Sequence, residues 1–284
     1  MGLPAMGSMV GREGATFSRM DAPHALQGRT ALVGGASQGI GRAIAVALAG
    51  LGARVIVSGR NDEGLAKVQG ELPAVPGGPH EMLVQDHSDA AAMERAADAL
   101  VARLGAIHVL VANSGGPAPG FLVDAPAIDI EKAIRQHVSS AHGVLQALAP
   151  GMRAAGFGRV VALTSTSVIA PIRGLGVSNV VRAAMSNWVR TIAGELGRFG
   201  ITANMVMPGS TKTGRLDAIF QGRAARAGTT VADVEREAVA RIPVGRLGSP
   251  EEIAAMVAFL CTPAASFVNG ALIHVDGGQM AVQS

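Results

Sequence analysis

The 284-residue sequence contains no tyrosine, one tryptophan, one cysteine and 3% aromatic residues in all. Without tyrosine, no phenol, whose ordinary pKa is about 10, can serve as an acid or base anywhere in this chain. One cysteine excludes an intrachain disulfide. Cys261 follows the apolar helical stretch 253–260, where it reads as a small buried hydrophobe, and a reducing, cytoplasmic setting fits. Charge is also scarce: 16% of residues are charged and the net is +3, with no Lys/Arg cluster dense enough to offer nucleic acid a face. Although 49% of residues are apolar, no run reaches the roughly 18 residues that span a bilayer. A soluble protein with neither membrane nor nucleic-acid partner is expected. No internal repeat or low-complexity linker divides the chain, and its length suits one α/β domain.

What is present is organised around residues 29–48, RTALVGGASQGIGRAIAVAL. A short apolar strand at 30–33 runs into a loop with glycines at 34, 35, 39 and 41, and from Ile40 the sequence continues at helical spacing. Glycines permit a tight turn and close approach of backbone to phosphate, while the helix amides and dipole favour negative charge, so the loop suits a pyrophosphate. Strand before and helix after give the context a dinucleotide fingerprint requires. Further strands are predicted at 54–58, 81–85, 109–112, 159–164, 201–206 and 272–275. Helices are predicted at 62–70, 89–104, 128–155, 177–197 and 250–260, an alternation that implies a parallel sheet covered on both faces. Residues 1–24 lack periodicity and read as a disordered extension before a domain at 25–284. The Ala/Arg-rich stretch 213–247, broken by Gly222 and Gly228, is long for a connector. It reads as a substrate lid, or otherwise as a solvated helical pair.

The spacing Gly35-x-x-x-Gly39-x-Gly41, with Ala36, Ser37 and Gln38 inside it, resembles the short-chain dehydrogenase/reductase family. Asp86, the turn Ala112-Asn113-Ser114-Gly115, the turn Pro208-Gly209-Ser210-Thr211-Lys212-Thr213 and the C-terminal Val275-Asp276-Gly277-Gly278 match further family motifs in order. The resemblance covers about residues 26–280 and, within the family, is closest to the 3-oxoacyl-acyl-carrier-protein reductase group. It implies a doubly wound, seven-stranded Rossmann-type sheet in one domain. It also implies a dinucleotide held by Gly35, Ser37, Gln38, Gly39, Ile40 and Gly41 at the phosphates. Ser58, Arg60, Asp86 and His87 would lie at the adenosine, with Asn113, Gly115, Pro208, Gly209, Thr211 and Thr213 toward the nicotinamide. Asp86 could alternatively cap the following helix. At the family's acidic position stands Gly59, followed by Arg60, whose guanidinium can grip a 2′-phosphate. NADP(H) is therefore favoured over NAD(H). No metal site is expected, and the resemblance implies a homotetramer, or a homodimer. The helices at 128–155 and 177–197, apolar on more than one face, agree with such assembly.

The catalytic motif departs from the family. The family serine falls on Ser165, but tyrosine is replaced by Ser178, lysine by Arg182, and the relay asparagine by His137. A serine hydroxyl is a far weaker acid than a phenol, and general acid catalysis rewards a pKa near the working pH. Arg182 would still hold ribose or an oxyanion, also serving the cofactor, and His137 is the nearby group expected to titrate near neutrality; a purely structural histidine is the alternative. Two functions follow: an NADP(H)-dependent reductase of a ketone or 3-oxoacyl thioester with an atypical site, or a catalytically silent NADP(H)-binding protein that senses the cofactor or assembles with a relative.

Overall fold

The structure, a computed structural model, describes residues 24–282. The extension expected over residues 1–24 lies, apart from His24, outside the described residues. Seven strands, β1 (Thr30–Val33), β2 (Arg54–Gly59), β3 (Glu81–Val84), β4 (Val109–Ala112), β5 (Gly158–Leu163), β6 (Ile201–Pro208) and β7 (Leu272–Val275), form one sheet in the order β3-β2-β1-β4-β5-β6-β7. Every pairing is parallel. Helices cover both faces, as parallel strands require. Alternation along β1 shows why: Ala31 and Val33 join a core with α1 (Gly39–Gly50), α2 (Asp62–Glu71) and α9 (Pro250–Cys261), while Leu32 joins one on the opposite face. That second core is built by α3 (Ala90–Leu104), α5 (Ser140–Ala154) and α6 (Gly176–Leu196).

Two expected elements differ. The helix predicted over 128–155 is α4 (Ala127–Ile134), a π-helical turn over Arg135–Ser139, then α5. The widened turn carries Gln136 and His137 toward the loop after β4, where Gln136 Nε2 donates to Gly115 O (2.7 Å) and His137 Nδ1 pairs with Ser114 Oγ (3.0 Å). Such single-turn bulges admit one extra residue without ending the helix. Second, Gly222 breaks nothing: α7 runs from Gly214 to Ala227 through it, and the interruption before α8 (Val231–Ala240) is Gly228, at φ +64°. Thr230 and Asp233 form a reciprocal cap that starts α8. The stretch 213–247 is thus a helical pair with its own small core of Phe220, Ala224, Val234, Ile242 and Leu247.

Candidate active site

The winding reverses between β1 and β4, which opens a crevice at their C-terminal ends. Gly34 N donates to Val111 O and Asn113 Nδ2 to Gly34 O, so the glycine loop is stitched to the far side of that crevice. Two of its glycines are obligatory on contact grounds. A Cβ at Gly34 would lie 2.4 Å from Asn113 O and one at Gly41 2.1 Å from Gly35 O; Gly35 and Gly39 adopt φ +57° and +56°. At Gln38, the residue before α1, no side chain caps the helix, and its first turn holds no acid. The helix terminus is shaped for an external anion, and a dinucleotide pyrophosphate fits it.

Beside the loop lies a cavity of about 370 Å³ that gathers Gly35, Ser37, Gln38, Arg60, Asp86, His87 and Gly115, all assigned to the cofactor on the sequence. Asn61, Gln85 and Gln136 also line it and carried no sequence signal. Arg60 is largely exposed and stands 3.7 Å from Asp86 Oδ2. The other Asp86 oxygen accepts from Ser88 N at 2.8 Å, and this hydrogen bond chiefly lowers its pKa. Helix α3 is capped instead by Asp89, which accepts from Ala92 N, so Asp86 is not that cap. Ser58 is wholly buried and its hydroxyl pairs with His87 Nε2 (3.0 Å). It meets the cavity only through His87, whose pKa burial lowers.

On the other side of the crevice, Ser165 lies two residues past the end of β5 and caps the turn Thr166–Val168, its hydroxyl accepting from Ser167 N. Ser178 and Arg182 lie one turn apart on α6. Arg182 Nε donates to Ser178 Oγ (3.2 Å) and its Nη1 to Leu163 O (3.3 Å), two residues before Ser165, so these groups converge at one strand end. Burial and then Arg215 lower the Arg182 pKa to about 10, and it stays charged at neutral pH. His137 is buried and turned inward. Burial first, then Arg182, Arg215 and His87, pull its pKa down to about 3. The expectation that His137 titrates near neutrality is therefore corrected: the ring is neutral, and its Nε2 has no partner among the described residues.

The turn after β6 holds Pro208, Gly209, Thr211 and Thr213. Thr211 is buried with its hydroxyl on Gly209 O, while Thr213 caps α7 by accepting from Leu216 N. A Cβ at Gly39 would touch the Thr213 methyl at 3.4 Å, so this turn roofs the glycine loop. Arg215, in the first turn of α7, reaches across to Gly116 O (3.2 Å) and Pro117 O (3.3 Å). Sequence reasoning missed Arg215, since nothing distinguishes it among the arginines of 213–247. Among the described residues no group of His, Cys, Asp or Glu is placed to hold a metal ion, and no helix is long and apolar enough to cross a membrane.

Known proteins share the sequence pattern and the fold. The family model described as enoyl-(acyl carrier protein) reductase matches residues 35–280. The 7alpha-hydroxysteroid dehydrogenase of Escherichia coli (strain K12) is 33% identical over 255 residues, covering 89% of this chain and 94% of its own. The 3-oxoacyl-[acyl-carrier-protein] reductase FabG of Salmonella typhimurium is 32% identical over 258 residues, covering 90% and 99%. Similarity to the 3-oxoacyl group is thus matched by similarity to a steroid dehydrogenase. Among solved structures, L-sorbose reductase from Gluconobacter frateurii, complexed with NADPH and L-sorbose, superposes with a TM-score of 0.84 at 25% identity, covering 91% of this chain and 98% of that one. By fold, by motif order and by these matches, the chain belongs to the short-chain dehydrogenase/reductase family.

Proposed function

We propose that the protein is an NADP(H)-dependent oxidoreductase acting on the carbonyl of a ketone or 3-oxoacyl-type substrate through an atypical site. The observation that carries the reading is the convergence of Ser165, Ser178 and Arg182 at the end of β5, beside a cleft whose glycine loop fits a dinucleotide pyrophosphate. When bound, the nicotinamide would supply a hydride to the carbonyl carbon. The carbonyl oxygen then becomes an alkoxide that must gain a proton. Ser165 and Ser178 offer hydroxyl hydrogen bonds to that oxygen, and Arg182, charged and half-buried, stabilises the developing negative charge. Neither Arg182 nor the neutral His137 is poised to give up a proton, so the proton would be drawn from solvent. Preference for NADP(H) rests on Gly59 and Arg60, and an NADPH-bound relative supports it.

The pair α7–α8 is proposed as a lid, with Arg215 tying it to the loop after β4. Assembly into a homotetramer is proposed on the resemblance, with Trp188 at a groove beside His142 and the fully exposed Phe267 in support. The buried lone cysteine agrees with a cytoplasmic setting.

A second reading, a silent NADP(H)-binding protein, is favoured by one observation: neither His137, pulled down to about 3, nor Arg182, at about 10, titrates near neutrality. A screen of NADPH oxidation against ketones and acyl thioesters, run beside NADPH titration by cofactor fluorescence, separates the two. Turnover of any carbonyl supports the reductase; tight binding with no turnover on the whole panel overturns it.

A further inference from the structure

Two segments beside the reactive serines carry almost no hydrogen-bonding side chains. Residues 117–123 read PAPGFLV and residues 168–177 read VIAPIRGLGV, in which Arg173 is the single polar side chain. The second segment runs from Ser165 to Ser178, so it is anchored at both ends next to them. Most of the exposed large apolar side chains among the described residues stand in or just beyond these segments, among them Phe121 (52% exposed), Val123 (91%), Ile169 (54%) and Ile172 (39%). The two segments are stitched together: Gly120 N donates to Gly174 O (2.8 Å), Gly176 N donates to Gly120 O (2.9 Å), and the Arg173 guanidinium stands 5.8 Å from the centre of the Phe121 ring. Leu122 lies against the start of α6, where a Cβ at Gly176, two residues before Ser178, would come within 2.4 Å of Leu122 N. Asn179, the residue after Ser178, holds Ile172 by both backbone groups, its Oδ1 accepting from Ile172 N (3.3 Å) and its Nδ2 donating to Ile172 O (3.0 Å). The apolar side chains are therefore fixed on hydrogen-bonded backbone next to Ser178. Apolar groups gathered and exposed in this way mark a binding surface.

We propose that this wall takes the hydrocarbon part of the substrate, with the ketone held at Ser165 and Ser178 and its remaining carbons lying outward along Phe121, Leu122, Ile169 and Ile172. The substrates are then lipophilic ketones rather than sugars or other polyhydroxy ketones. Continuity with the serines fixes the occupant, because a molecule bound at both serines must leave past the segment that joins them. A polyol placed there would give up its hydrogen bonds to water and find no side chains to replace them. A hydrocarbon gives up nothing, and each methylene taken out of water tightens binding. The inference rests on the reading that the two serines bind the substrate oxygen.

The test uses 2-butanone, 2-hexanone and 2-octanone, which share one ketone and differ only in hydrocarbon. With NADPH, the wild-type kcat/KM should rise by about 2- to 4-fold per added methylene, and the ratio of 2-octanone to 2-butanone should fall by about 3- to 10-fold in Ile172→Ser and in Phe121→Ser. Calorimetric titration of 2-butanone and 2-octanone into the NADP⁺-bound protein reads the wall without turnover, since the oxidised cofactor has no hydride to give. Affinity that grows with chain length and shrinks in Ile172→Ser supports the wall even if no hydride moves, in which case the reductase reading alone fails. No binding of 2-octanone, a flat series, or a ratio unchanged in both variants overturns the wall while leaving the reductase standing. Use of L-sorbose, a polyhydroxy ketone, as readily as 2-hexanone also overturns it. A smaller assembly by light scattering in both variants, with the ratio unchanged, would assign the patch to a contact between copies of this chain and overturn it too.

Discussion

Arg182 donates from Nε to the hydroxyl of Ser178, 3.2 Å away and four residues earlier on α6, so the two residues that the motif spacing aligns with the family tyrosine and lysine form a bonded pair. The pair contains no phenol. Two consequences can be measured. The kcat profile of the wild type should show no ionisation near pH 6.5, because His137 is held neutral down to about pH 3; a limb near neutrality that His137→Ala removes would contradict this. Ser178→Tyr combined with Arg182→Lys restores a positioned phenol, and activity on simple ketones should rise by about 10²–10⁴-fold. Ser178 is only 3% exposed, so the larger side chain should cost ~1–3 kcal/mol of stability. A thermal melt of the double variant checks that packing cost beside the kinetics.

Cofactor choice should turn on two adjacent positions. Gly59 has an ordinary φ, and a Cβ there would meet only Leu65 Cδ2, at 3.8 Å, so aspartate fits without strain. Gly59→Asp should therefore weaken NADPH and strengthen NADH, reversing the ratio of their dissociation constants. Arg60→Ala should weaken NADPH by about 10-fold or more and leave NADH nearly unaffected, since a charge-assisted bond to phosphate is worth ~1.5–3 kcal/mol when shielded. Asp86, 3.7 Å from Arg60, holds the guanidinium near the cavity rim before any phosphate arrives. Equal NADPH affinity in wild type and Arg60→Ala would remove the argument.

The strands were legible because each is a nearly unbroken apolar run, and both faces of the sheet are covered. The glycine loop was legible through its local packing, with Gly41 on Gly35 six residues away, whereas the contact of Gly34 with Asn113 only the folded chain supplies. The π turn at 135–139 was not, since an amphipathic pattern continues through it. What opens the helix there are hydrogen bonds to Ser114 and Gly115, more than twenty residues earlier. The charge state of His137 was hidden for the same reason. It is set by burial and by Arg182 and Arg215, which only the folded chain brings near. The assignment of Ser178 and Arg182 to the family's tyrosine and lysine positions rests on motif spacing alone, and the structure adds that the two lie one turn apart on α6 and are hydrogen-bonded.

Cys261 should be inert in the folded protein. It is wholly buried, and burial raises its thiol pKa to about 12 even with Arg159 acting in the opposite sense. Since the thiolate is the nucleophile, a disulfide reagent at pH 8 should label it only as fast as the chain unfolds. Labelling in denaturant should give one thiol per chain; rapid labelling of the native protein would show that α9 opens far more readily than its packing allows.

Stability should fall on the acid side of neutrality, with His108 as one source. The residue is 9% exposed at the entry to β4, and its Nδ1 accepts from Thr30 N, which ties β4 to β1 at the centre of the sheet. Burial, and then Arg29, lower its pKa to about 4, while in the unfolded chain a histidine titrates near 6.5. Between those values the unfolded state binds the extra proton. The contribution of His108 is therefore full above pH ~6.5 and is lost as pH falls toward 4, amounting to on the order of 3 kcal/mol. His137 adds to the same slope, reaching to lower pH. His108→Asn keeps an acceptor for Thr30 N and removes the titration. In urea denaturation between pH 6.5 and 4, this variant should lose measurably less stability than wild type, whatever its stability at pH 7. Parallel pH dependences for the two proteins would mean that His108 is protonated in the native sheet.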